Sequence, residues 1–314
     1  MKSVDTESGI VLGIASDGHL SNGTVAFAVR TAGQLEAGIE VVHVVPSPLG
    51  SATGTFDVGS TADQMTREGR LALDRAVEQV RAQMGGAQPV CGVLLHGAVA
   101  PTLVDCSARA QLVVLEHRHH SMWERLTLGS VTAAVAARSH APVVSVPASW
   151  QPAASVRPIV VGIEDGDRAD SGLWTALGLA AVADVPVLAL RVAYLAPAYE
   201  EILLHTDHRE DLIRAARVEL ARDTDLPASV CEEVPCTFDV RWGRPAEVLV
   251  EASDAAYLLV LARRDPHVPF GSHLGPVVRE VLRRARCPVM VVEPSLPRPV
   301  GERPTRRPAS ASAG

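Results

Sequence analysis

Ile10-Val11-Leu12-Gly13-Ile14 returns later in the chain as Ile159-Val160-Val161-Gly162-Ile163. Likewise Leu128-Gly129-Ser130-Val131, leading to Pro142-Val143, returns as Leu274-Gly275-Pro276-Val277, leading to Pro288-Val289. The first match is offset by 149 residues, and the stretch from Gly97/Gly243 to Val146/Val292 by 146. Inside that stretch Gly97, Ser107, Arg118 and Gly129 meet Gly243, Ser253, Arg264 and Gly275. A solenoid unit runs about 20–50 residues, so a period this long is that of a whole globular domain. The chain reads as two diverged copies of one domain.

Each copy alternates short β-branched runs with longer helical patterns. In the first, Gly9–Ala15, Gly38–Val45, Val90–Leu95, Gln111–Leu115 and Pro142–Val146 read as strands. Between them, Thr24–Glu36, Ala62–Met84, Pro101–Ala108 and Val131–Ser139 read as helices. Ala72, Ala76 and Val80 mark one face of the longest helix, and Leu212, Ala216 and Leu220 are expected to do the same in the second copy. Strands this apolar need helices over both sheet faces, and β-α alternation implies right-handed crossovers in a parallel sheet. The expected fold is α/β: two tandem five-stranded parallel open α/β sandwiches. The first would span residues 1–147 and the second 159–294, joined by a linker at 148–158. The tail at 295–314, rich in Pro, Arg, Ser and Ala, has nothing to bury and is expected to be disordered.

Composition narrows the function classes. With 314 residues, 47% of them hydrophobic, the chain can build two ordinary cores. A net charge of −7 leaves no domain-wide basic excess for nucleic acid. Gly178–Leu190, the longest apolar stretch, is broken by Asp184 and falls short of the roughly 20 residues of a membrane-spanning helix. The expected compartment is the cytoplasm. The five cysteines are scattered and read as reduced thiols; Cys231 and Cys236 lack a second ligand pair, so no metal is expected.

In an open α/β sheet, ligands bind beyond the carboxyl ends of the strands where the strand order reverses. Any chemistry is therefore expected just after Ile14, Val45, Leu95 and Leu115, and at the helix opening at Gly129. The Gly-Ser before that helix, the closing Ala-Pro-Val-Val-Ser-Val at 141–146, and Ala285-Arg-Cys-Pro-Val-Met-Val-Val292 resemble the universal stress protein family. The resemblance covers both copies almost end to end. It implies an ATP site in nucleotide-binding members, made by Gly, two residues, Gly, nine residues, then Gly with Ser or Thr. Here the first two glycine positions hold Glu116 and His119 in the first copy and Ala262 and Asp265 in the second. A side chain there blocks backbone approach to a triphosphate, and an acidic one repels it. Pro276, standing where the first copy has Ser130, removes an N–H and a hydroxyl as well.

The aspartate that the family places after its first strand is replaced by Ala15 and Glu164, with Asp17 and Asp165 close by. The candidate ligand contacts are thus Asp17, Arg118, Gly129, Ser130 and Val131 in the first copy. Arg118 is suited to a bidentate grip on an anion, with His117, His119, His120 and Arg125 around it; a solvated loop is the plainer alternative. Arg263, Arg264, His267 and His273 form the corresponding group in the second copy.

No Gly-x-Ser-x-Gly elbow surrounds Ser130, and His96 and His140 read as structural histidines. Glu200-Glu201 and Glu232-Glu233 read as caps or solvated faces at loop or helix-start positions. The expected function is that of a non-catalytic stress-response or regulatory protein with weak or lost ATP binding. The alternative is a nucleotide-binding enzyme or ATPase of the same α/β superfamily. The two copies are expected to associate through their last strands, leaving any protein partner unidentified.

Overall fold

The computed structural model describes residues 9–15, 17–46, 58–118, 128–164, 171–194, 209–224, 226–263 and 274–293. The first copy runs β1 (Gly9–Ile14), α1 (Asn22–Gln34), β2 (Ile39–Val45), α2 (Val58–Met84), β3 (Val90–His96), α3 (Val99–Ser107), β4 (Ala110–His117), α4 (Leu128–Arg138) and β5 (Val143–Pro147). The second runs β6 (Ile159–Ile163), α5 (Ser171–Ala183), β7 (Val187–Ala193), α6 (Arg209–Asp223), α7 (Ala228–Glu233), β8 (Cys236–Trp242), α8 (Pro245–Ala252), β9 (Leu258–Ala262), α9 (Pro276–Arg284) and β10 (Val289–Val292).

Each copy forms five parallel strands in the order 3-2-1-4-5. From β1 the chain steps outward to β2 and β3, then returns across β1 to β4 and β5. Right-handed crossovers therefore place α1 and α2 on one face and α3 and α4 on the other. β2 and β5 are buried at every position, as burial on both faces requires.

The two sheets are not separate. β5 and β10 pair antiparallel and join them into one ten-stranded sheet. Val144 faces Met290 directly, while Val143 faces Val291 and Ser145 faces Val289. Val144 and Met290 are also equivalent in the repeat, so a pseudo-twofold axis passes between them, as in an isologous dimer. Each strand is the edge that the other needs.

Local signals explain most element ends. Ser21 caps α1, its Oγ accepting from Thr24 N at 3.1 Å. Gly97 and Gly243, which end β3 and β8, have φ of 141° and 146°, a backbone that an L side chain resists. Their N–H groups donate at 3.1 Å to Val45 O and Ala193 O respectively.

Ser107 and Ser253 show why some positions match across the repeat. Each hydroxyl donates back to the carbonyl of Val104 or Val250 at 2.5 Å. Each also accepts a backbone N–H leading into the last strand, His140 at 2.9 Å or Arg286 at 3.0 Å. Both serines are 1% exposed, and alanine would leave each of these backbone N–H groups without its partner. Ser107→Ala and Ser253→Ala are each expected to lower stability by about 1–3 kcal/mol, measured by urea denaturation; unchanged midpoints would contradict this role.

Three expectations need correction. Leu212 is 43% exposed, and the inward face of α6 is Ile213, Ala216 and Leu220. The three-then-four spacing lies closer to the 3.6-residue turn than two steps of four. A short helix absent from the sequence reading, α7, precedes β8 and places Glu232 and Glu233 at a helix end rather than a helix start. Finally, α4 begins at Leu128, so Gly129 and Ser130 lie within its first turn.

Candidate functional site

The reversal of strand order in the first copy lies between β1 and β4, neighbours whose chains leave in opposite directions. At and just beyond their carboxyl ends, Asp17, Glu116 and Arg118 meet. Glu116 Oε2 accepts from Ser21 N at 2.6 Å, and Oε1 accepts from Arg118 Nε at 2.5 Å. Arg118 then donates through Nη1 to Asp17 Oδ2, whose other oxygen accepts His19 N at 3.2 Å. The crevice is thus spanned by a chain of two carboxylates and one guanidinium.

Two of these side chains are largely withdrawn from water, Glu116 at 7% exposure and Arg118 at 19%. Asp17, at 47%, is the solvent end of the network. Glu116 and Arg118 stand two residues apart at the end of β4, and a strand's period of two directs both side chains to one face. The Glu116 carboxylate meets the N–H of Ser21 at the start of α1, where a helix ordinarily presents donors to an anion. An anion already occupies that position, and it is covalently part of the protein.

Burial alone pushes the Asp17 carboxyl up, but hydrogen bonds from Arg118 and from the His19 N–H outweigh it and hold its pKa below the ordinary carboxylate range. Burial likewise opposes the Arg118 charge, and its bonds to Glu116 and Asp17 override that. Because the folded-state pKa of Asp17 is depressed, its stabilising contribution is present above its unfolded value of about 3.9 and is lost as pH falls through the folded value. In Arg118→Gln the Asp17 titration midpoint, followed by carboxyl carbon NMR, is expected to rise toward the ordinary value. A midpoint that stayed depressed would assign the effect elsewhere.

The remaining first-copy candidates divide. Gly129 and Ser130 belong to the first turn of α4, and the half-buried Val131 side chain packs against the core. His119, His120 and Arg125 lie outside the described residues. His117 O, at the end of β4, accepts Ala148 N at 2.8 Å and so ties the start of the linker to the sheet.

The second copy differs at the same place. Arg263, just past β9, has a side chain 10% exposed and pairs with Glu293 at 2.8 Å. Helix α9 opens on Pro276 after an N-cap at Gly275 that makes no side-chain hydrogen bond. A donor N–H and a capping hydroxyl are both missing from that turn. Asp165, Arg264, Asp265, His267 and His273 lie outside the described residues.

The sequence profile described as the Universal stress protein family matches this chain twice, over residues 10–147 and 155–293. The chain belongs to that family. It is a tandem universal stress protein, and its relatives share that length. One from Mycobacterium tuberculosis is 28% identical across 95% of this chain and 100% of its own. Another, from Mycolicibacterium smegmatis, is 28% identical across 92% and 98%. The crystal structure of a universal stress protein from Archaeoglobus fulgidus superposes with a TM-score of 0.64 at 15% identity, covering 92% of this chain and 97% of that one. This likeness bears on the fold alone.

Elsewhere in this universal stress protein, both His96 and His140 are exposed. His96 Nε2 lies 3.2 Å from Thr66 Oγ1. The five cysteines are free; burial pushes the Cys236 thiol up to about 11 and that of Cys287 up to about 12, far from thiolate reactivity. Among the described residues no cluster of His, Cys, Asp and Glu could hold a metal ion, and no helix is long and apolar enough to cross a membrane.

Sequence reasoning named Asp17 and Arg118 but missed that they bind each other, and it treated Glu116 only as an obstacle. The period-two spacing of Glu116 and Arg118 was a usable signal. Nothing in the sequence brings Ser21 to Glu116, 95 residues away.

Proposed function

We propose that this tandem universal stress protein is a non-catalytic stress-response regulator whose first crevice has weak or lost affinity for ATP, and which acts through protein contact. The observation that carries this reading is the Glu116 carboxylate lodged against Ser21 N–H with Arg118 drawn to it. A triphosphate entering beside β1 and β4 would have to displace a carboxylate from both donors and leave it facing like charge in a site sheltered from water. Asp17 cannot serve a nucleoside without giving up Arg118. The same network supplies no reaction. Both carboxylates are engaged with a permanent cation, and among the described residues none of the three groups contacts a nucleophile with an adjacent base.

The test is direct. The purified full-length chain is denatured gently, the released small molecules are examined by mass spectrometry, and native protein is titrated calorimetrically with ATP. The expected outcome is no stoichiometric nucleotide and no saturable heat below millimolar ATP. Recovery of bound ATP at one equivalent would overturn this reading.

A further inference from the structure

The linker does more than connect the domains. Trp150, 7% exposed, packs edge-on to Phe27 of α1, with centroids 6.0 Å apart, and to Tyr257 ahead of β9, at 6.3 Å. Phe27 and Tyr257 stack with centroids 6.3 Å apart. Three aromatic rings from the first domain, the linker and the second domain therefore form one cluster. Beside it lies an open cavity of about 220 Å³, lined by Trp150, Tyr257 and linker residues 153–157. Val185 and Tyr257, which precede β7 and β9, are part of its wall. The cavity thus lies toward the amino ends of the second domain's strands, away from the carboxyl-end crevices.

Two guanidiniums line it. Arg30 holds its guanidinium carbon 5.7 Å from the Tyr257 ring centroid, and Arg157 donates from Nη1 to the Asp254 carbonyl at 3.2 Å. Neither forms an ion pair with a carboxylate among the described residues, whereas Arg109, Arg118, Arg217, Arg263 and Arg286 all do. Asp184 also lines the cavity, so the lining carries two positive charges and one negative. The lining is therefore net positive, which favours an anion over a cation. The volume lies below the roughly 300–1,000 Å³ typical of drug-sized ligands, which points to a small occupant. Trp150 and Tyr257 in the lining favour an occupant with an aromatic ring, and guanidinium forks favour a carboxylate.

We propose that this cavity binds a small planar organic monoanion, an aromatic or heteroaromatic carboxylate, whose ring packs beside Trp150 and Tyr257 while Arg30 and Arg157 hold the carboxylate. Such a ligand touches both domains and the linker together. It would bind the assembled sheet and not the separated domains, so occupancy would raise the melting temperature of the whole chain.

Benzoate serves as the probe, with acetate and inorganic phosphate as comparisons, in calorimetric titrations of the full chain. Benzoate is expected to bind one to one and to raise the melting temperature. Acetate lacks the ring, and phosphate lacks the ring and carries more charge; both are expected to bind at least about tenfold more weakly. Arg30→Gln and Arg157→Gln should each weaken benzoate by about ten- to a hundredfold, the range of one charge-assisted contact, with ligand-free melting temperatures near the parent's. Arg118→Gln should leave benzoate binding unchanged, which separates this cavity from the crevice. The proposal is overturned by no saturable benzoate heat at millimolar concentration, by equal affinity for phosphate, by binding that survives both arginine variants, or by binding lost in Arg118→Gln. None of these outcomes depends on whether ATP binds.

Discussion

Aspartate at both Val144 and Met290 is expected to open the ten-stranded sheet at its centre. Val144 is fully buried and Met290 is 2% exposed. They face each other at the pseudo-twofold position of the antiparallel seam, where opposed Cβ atoms stand about 4.5–5.5 Å apart. One unpaired carboxylate buried there is expected to cost about 3–5 kcal/mol, a large share of the 5–15 kcal/mol that holds a typical domain folded. Two carboxylates repel each other as well, so the double variant should lose more than either single variant and the losses should not simply add. Urea denaturation should change from one concerted transition to two, and size-exclusion chromatography should show a larger hydrodynamic radius. A double variant with the parent's melting temperature and elution volume would mean that β5 and β10 do not hold the domains together.

Gly23→Ala should be nearly as damaging, although it adds one methyl group. A Cβ at Gly23 would stand 1.9 Å from the Trp150 carbonyl oxygen and 2.9 Å from its carbonyl carbon. Both atoms are backbone, so relief requires moving either α1 or the linker. Overpacking of this kind costs about 3 kcal/mol, against the fraction of a kcal/mol that alanine would otherwise gain near a helix start. The displaced linker would carry Trp150 away from Phe27 and Tyr257, so the variant should also show altered tryptophan emission. Parent-like stability with unchanged emission would show that the linker adapts without strain.

These effects separate what could be read along the chain from what could not. The duplication, the β-α alternation and the inward face of α2 were legible because each depends on residues near one another in sequence. Ala72, Ala76 and Val80 are 1%, 0% and 0% exposed. The face of α6 was misread through Leu212, since Leu212, Ile213, Val218 and Leu220 spread apolar residues over more than one face, and a run of i+4 steps and a mixed three-four run look alike until the sheet selects one. At the crevice, the missing glycines were visible as Glu116 and His119. Their consequence depended on where the Glu116 side chain turns, which the start of α1 decides. The aromatic cluster had no sequence signal at all, because Phe27, Trp150 and Tyr257 come from three different parts of the chain.

By itself, then, the sequence determined that this is a twofold-repeated parallel α/β protein, since hydrophobic periodicity and short-range turn chemistry act over a few residues, and its cassettes at 129–146 and 275–292 resembled the universal stress protein family. Only the tertiary structure decided that the repeats share one sheet, that Arg118 closes a chain between Asp17 and Glu116, and that Arg30 and Arg157 flank a cavity beneath the linker. Each of these is a pairing between groups far apart in the chain, and its energy depends on distance and exclusion of water. Neither quantity exists until the chain has folded.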